Sequence, residues 1–180
     1  MLVKKTMLAS AMIVFGGLSA AAMAATTTTF DVKINITSVC NVASATATPI
    51  DFGDVPANTT TLQTKNNTLS VTCSTGTPYS IGLTTPLGAA GAGSMLGQDA
   101  TPVDNTADAV PYTLYQPTST GTGITALPWG DTGALAGVLN WHSTGTGLVQ
   151  SVNVYATVLG TDLNHIPGHY LDTVTVHVYL

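Results

Sequence analysis

From residue 30 onward, apolar and polar side chains alternate without a break: Phe30, Val32, Ile34 and Ile36 are separated by Asp31, Lys33 and Asn35, with Thr37 following. Successive side chains of a strand point to opposite faces, so this segment offers one wholly apolar face and one wholly polar one. The same two-residue period predicts strands at Ile50 to Val55, Leu69 to Cys73, Tyr79 to Leu83, Val110 to Tyr115, Val138 to Trp141, Val152 to Leu159 and Thr173 to Leu180. No segment carries an apolar stripe at helical spacing. Seven or eight short strands predict an all-β chain folded as a sandwich or barrel.

Between the predicted strands lie turn-forming stretches, notably 86–102 and 117–125, which composition assigns to surface loops. The pentapeptide STGTG at 119–123 returns at 143–147, with a relative at 74–78. The flanking strands do not match and no fixed period runs through the chain, so this is repeated turn chemistry rather than a repeat architecture.

Lys4 and Lys5 precede an apolar run from Met7 to Leu18 and a small-residue stretch ending Ala22-Met23-Ala24. That layout predicts a secretory signal peptide over 1–24, with cleavage after Ala24. The apolar run is too short to span a bilayer, and no second one follows. The remaining 156 residues suit one domain with a substantial core.

With the leader removed, Lys33 and Lys65 face nine aspartates, a formal net charge of −7, and the chain has neither arginine nor glutamate. Nucleic acid is therefore excluded as a partner, because phosphate contacts call for clustered basic residues. Cys40 and Cys73 are the only cysteines. In an oxidising destination two cysteines predict a single Cys40–Cys73 bridge.

The candidate chemical sites are weak. Gly91 and Gly93 begin a dinucleotide-type glycine pattern, but Leu96 stands where its third glycine belongs. His165 and His169 are four apart, yet Pro167 and Gly168 between them rule out a helix presenting both imidazoles, so a metal would need loop ligands completed by His142 or His177. No nucleophile-elbow pattern singles out a serine, and no aspartate pair suggests glycoside hydrolysis. Trp129 beside Asp131 and Trp141 beside His142 could form platforms for a sugar. The chain is expected to have no catalytic residue, cofactor or metal.

Several stretches, in order, resemble the spore coat protein U domain family, the subunits of archaic chaperone–usher pili: DVKINITSVCNV at 31–42, IDFGDV at 50–55, LSVTCSTGTPYSIGL at 69–83, SMLG at 94–97, VPYTLYQ at 110–116, PWGDTG at 128–133 and GHYLDTVTVHVYL at 168–180. The resemblance implies an immunoglobulin-like β-sandwich that lacks its last strand and leaves an apolar groove. A periplasmic chaperone would fill the groove first. An outer-membrane usher would then exchange the chaperone's strand for the N-terminal strand of the next pilin, giving a head-to-tail fibre exported through the periplasm to the cell surface.

On this reading 1–24 is the leader, 25–37 the donor strand and 38–180 the incomplete pilin domain. Phe30, Val32, Ile34 and Ile36 would enter a neighbour's groove. Val174, Val176, Val178 and Leu180 would line the subunit's own groove on its chaperone-docking strand. Tip adhesins of such systems resemble a two-domain design without a donor segment, so this one-domain chain resembles a rod subunit, serving adhesion and biofilm formation. It departs from the family at Ser94, where a basic residue is usual, and in a long loop at 117–127. The competing reading is a free-standing secreted sandwich that binds carbohydrate through its tryptophan-bearing loops.

Overall fold

The computed structural model describes residues 27–44, 49–119 and 121–180, with only the backbone of Ala43 and Ser44. The expected leader, 1–24, lies outside the described residues. Two units are distinguished, one up to Asn35 and one from Ile36 to Leu180. In the first, residues 27–35 have no regular secondary structure, and Asp31 pairs with Lys33 at 3.1 Å on the surface.

The second unit is all-β apart from one short 3-10 turn, as the alternation predicts. Its strands are β1 (Cys40–Ser44), β2 (Gln63–Cys73), β3 (Pro78–Thr84), β4 (Ala92–Gly97), β5 (Ala109–Pro117), β6 (Ile124–Pro128), β7 (Trp141–Thr144), β8 (Val149–Val158), β9 (Tyr170–Leu171) and β10 (Thr175–Tyr179). Seven of them form one sheet in the order β1-β2-β8-β5-β4-β9, with β6 also paired to β5; the other three form a sheet ordered β10-β3-β7. Every pairing is antiparallel.

The core lies between the two sheets and follows from the alternation. Leu69, Val71 and Cys73 of β2 face it together with Val152, Val154, Ala156 and Val158 of β8 and Val110, Tyr112 and Leu114 of β5. Tyr79, Ile81 and Leu83 of β3 close it from the other sheet. Residues that alternate in sequence thus share one face and pool their apolar area. This is the expected immunoglobulin-like sandwich, with β1 and β9 outermost in the larger sheet and β10 and β7 in the smaller among the described residues.

Several boundaries differ from the pattern. The predicted strand at 50–55 is not a strand: Asp51 accepts a hydrogen bond from the Gly53 N–H, and the chain turns there while Ile50 and Phe52 pack against the core rim. The strand expected at 138–141 starts at Trp141 instead, and Val138 is exposed in the turn before it. The C-terminal strand expected at 173–180 is β10, in the smaller sheet, and is preceded by the two-residue β9, in the larger.

Conversely β4 lies inside 86–102, read from composition as a loop. Its small residues are demanded by packing, since a Cβ on Gly93 would stand 2.3 Å from the Tyr112 ring. Likewise β6 begins within 117–125.

Candidate functional site

β1 is an outermost strand of the larger sheet and β10 of the smaller, and among the described residues neither is paired on its outer edge. On one side β10 pairs with β3 from Thr175↔Thr84 to Tyr179↔Ser80 and with nothing on its outer edge. Its inward residues Val176 and Val178, with Val174 just before, are half-buried against the core rather than enclosed. On the other side Cys40 and Val42 of β1 are half-buried in the same way. Leu180 is exposed. Half-buried valines on an unpaired edge leave both apolar area and backbone donors and acceptors unsatisfied, the features that invite an added strand.

The strand directions follow from the connections. β2 and β3 are joined by the short turn 74–77, β1 runs against β2, and β10 runs against β3, so β1 and β10 run in opposite directions. Where the chain enters β9, a cavity of about 990 Å³ opens beside Ile50, Phe52, Met95, Val110 and Leu163. Where β1 begins, the Cys40–Cys73 disulfide joins two directly opposed residues of one sheet.

Polar clasps hold β10 at both ends. At its C-terminal end the Tyr179 hydroxyl donates to both Asp131 carboxylate oxygens, at 3.0 and 2.9 Å, and His177 Nε2 lies 3.8 Å from the same group. Burial works to raise the Asp131 pKa. The Gly133 N–H, the Tyr179 hydroxyl, His177 and Thr84 together outweigh it and hold the carboxyl below its ordinary range.

Ahead of β10, residues 165–170 are tied to the loop between β4 and β5. Asp108 accepts from the Ile166 N–H at 2.9 Å, His165 Nδ1 lies 2.7 Å from it, and the Tyr170 hydroxyl donates to it at 3.0 Å. The Ile166 N–H above all, then His165, keep its pKa far below the usual carboxylate range. Asp99 is likewise lowered, first by the His169 N–H at 2.6 Å and then by the His169 ring. A Cβ at Gly168 would stand 2.4 Å from Asn105 Nδ2 and 2.6 Å from Asp99 Oδ2, so a side chain there would displace both groups. Nothing in the alternation pattern pointed to these clasps. The only sequence signal was the density of aspartate, histidine and tyrosine around two short loops.

The predicted donor side chains Phe30, Val32, Ile34 and Ile36 are each more than 80% exposed. The remaining candidates separate. His165 and His169 bind different aspartates, and among the described residues no three His, Cys or Asp side chains are grouped to hold a metal. Gly91 and Gly93 belong to the turn and strand that pack on β5 rather than to a phosphate loop. Trp129 and Trp141 are enclosed in the core, 6.4 Å apart, with the Trp129 indole N–H donating to the Ile81 carbonyl. This overturns the expectation that they could form exposed sugar platforms: a ring at the edge of a turn was pulled inward because its apolar area is large and its one polar atom found a partner.

The family model of the Spore Coat Protein U domain matches residues 26–177. No curated protein matches the chain. Among solved structures, the chain is similar to the CsuC–CsuE chaperone–tip adhesion subunit pre-assembly complex from archaic chaperone-usher Csu pili of Acinetobacter baumannii, at 21% identity and a TM-score of 0.47. That likeness covers 79% of this chain and 40% of the other. A chaperone–tip adhesin complex of CFA/I fimbriae biogenesis is similar at 8% identity and a TM-score of 0.47, over 77% of this chain and 41% of the other. The chain thus spans about two fifths of the length of each.

Proposed function

Because the chain belongs to the Spore Coat Protein U domain family, we propose that it is a structural subunit of an archaic chaperone–usher pilus that polymerises by donor-strand complementation. The observation that carries this reading is the pair of unpaired edges, β1 and β10, with Val42, Val174, Val176 and Val178 half-buried between them. A periplasmic chaperone occupies that groove first. An outer-membrane usher then replaces it with residues 25–37 of another subunit, whose Phe30, Val32, Ile34 and Ile36 enter as one face. Each such side chain contributes about 1.5–3 kcal/mol on burial. The ladder bonds along both groove edges add to this.

Donor and acceptor surfaces differ, so the contact is head-to-tail and propagates into a fibre rather than closing. Surface fibres for adhesion and biofilm formation are the outcome. The role is assembly rather than catalysis, and the carbohydrate-binding alternative loses its footing with both tryptophans in the core.

Ile34→Asp tests the scheme. It places a charge on the inserted face without touching the subunit's own core, so the chaperone complex is expected to form normally while fibres vanish from electron micrographs of the cell surface. Fibres of ordinary length from this variant refute the assignment.

A further inference from the structure

Beyond the expected leader the chain holds two lysines, Lys33 and Lys65, and no arginine, so a protease whose acidic pocket takes a basic side chain meets only two bonds. We propose that one of them, Lys33–Ile34, is a proteolytic processing site. A trypsin-like protease cuts the unassembled subunit there and ends its power to donate a strand, while assembled subunits are spared. The effect on assembly rests on the donor-strand reading above.

The two lysines stand in opposite settings. Residues 27–39 have no regular secondary structure, and every one of them is exposed. Lys33 lies in the middle of this stretch with its side chain 81% exposed, paired at 3.1 Å with Asp31, itself 79% exposed. A surface ion pair of this kind gives way easily. The backbone on either side is free to lie extended in a protease cleft.

Lys65 also has an exposed side chain, but its backbone is held. It sits in β2 opposite Ala156, in a ladder that runs from Gln63↔Val158 to Thr72↔Val149. Leu69, Val71, Val152, Val154 and Ala156 of these two strands are buried in the core. Cutting after Lys65 requires that ladder to open, which takes the centre of the larger sheet with it. Freedom of the backbone, not exposure of the lysine, separates the two sites.

The step is hydrolysis. The bond between the Lys33 carbonyl carbon and the Ile34 nitrogen breaks, and water supplies a hydroxyl to the first and a proton to the second. The departing piece carries Phe30 and Val32, while Ile34 and Ile36 stay behind. The trimmed subunit keeps β1, β10 and the Cys40–Cys73 bridge, so it still accepts a strand. Half of the apolar face it would donate is gone.

Seated in a neighbour, the same bond is protected. Lys33 is an odd position in a run whose even positions are apolar, so its ammonium stays in water. The N–H and C=O groups around it are committed to a ladder and cannot enter a cleft. Cleavage therefore distinguishes a free subunit from an assembled one.

Trypsin is the probe, and intact mass is the readout. Three samples are digested: the exported chain drawn from the periplasm before assembly, its Lys33→Gln variant, and fibres sheared from the cell surface. The unassembled chain is expected to lose residues 25–33 and then to persist as 34–180, and the variant to stay whole. Fibre subunits are expected to be cut about tenfold more slowly than the free chain, or slower still. A chain that starts at Ile34 behind the leader, expressed alone, is expected to form no fibres.

Cleavage after Lys65 as fast as after Lys33, or digestion of Lys33→Gln at the unaltered rate, overturns the processing site. Ordinary fibres from the chain that starts at Ile34 show that cleavage does not disarm the subunit, and overturn that part of the proposal. Surface chains that lose residues 25–33 as fast as free ones leave the cut site standing and overturn the donor-strand reading instead.

Discussion

Asp108 shows how much of the course of a loop depends on a single carboxylate. It gathers the Ile166 and Ala109 N–H groups, His165 and the Tyr170 hydroxyl, and so fixes the loop that delivers the chain into β9 and β10. Asp99 and Asp131 hold neighbouring points. All three have folded-state pKa values below the ordinary aspartate value of about 3.9. A depressed carboxylate contributes stability that is fully present above its unfolded pKa and is lost as pH falls through the folded one. The melting temperature is therefore expected to hold steady from pH 7 to about 5 and to fall increasingly below about pH 4. Asp108→Asn should lower stability at neutral pH and flatten the acid slope, because its amide does not titrate. A slope unchanged in that variant would remove Asp108 from the account. None of this was readable from the chain, since a hydrogen-bond clasp between loops some 60 residues apart leaves no periodicity behind.

At the scale of elements, the strands carrying large residues were readable and those carrying small ones were not. β2, β8 and the C-terminal strand announced themselves because Leu69, Val71, Val152, Val154, Val176 and Val178 alternate with polar neighbours. β4 stayed hidden because its glycines make room for Tyr112 and Asn105, so the side chains that would have revealed it are the ones packing forbids. The 50–55 segment erred the other way: Ile50 and Phe52 do bury, but at the rim, where no strand remains to pair with them. That β1 and β10 would stand outermost was not legible in the alternation, which says that a strand has an apolar face and not that its neighbour is missing. Val176 sits at the middle of the open edge, opposite Leu83. Val176→Asp is expected to abolish co-purification with the periplasmic chaperone, measured by pull-down from cells expressing both. Retention of the complex at normal yield would show that β10 is not the docking edge.

For the whole molecule, the disulfide has a consequence in tension. In a fibre assembled as proposed, pull enters each subunit through residues 36–39 and leaves through the strand seated in its groove. Without a cross-link the load would reach β1 first and unzip it from β2 one ladder bond at a time. Cys40 is the first residue of β1 and is bonded directly to Cys73, the last of β2, so force passes covalently into a strand paired along ten residues to β8. The bridge also closes a loop of 33 residues, worth about 4 kcal/mol by constraining the unfolded chain. Under an optical trap, reduced fibres are therefore expected to lengthen in small steps at low force as β1 peels away. Oxidised ones should stay stiff until whole subunits slide out of their neighbours, which makes the bridge a mechanical fuse rating as much as a thermodynamic one.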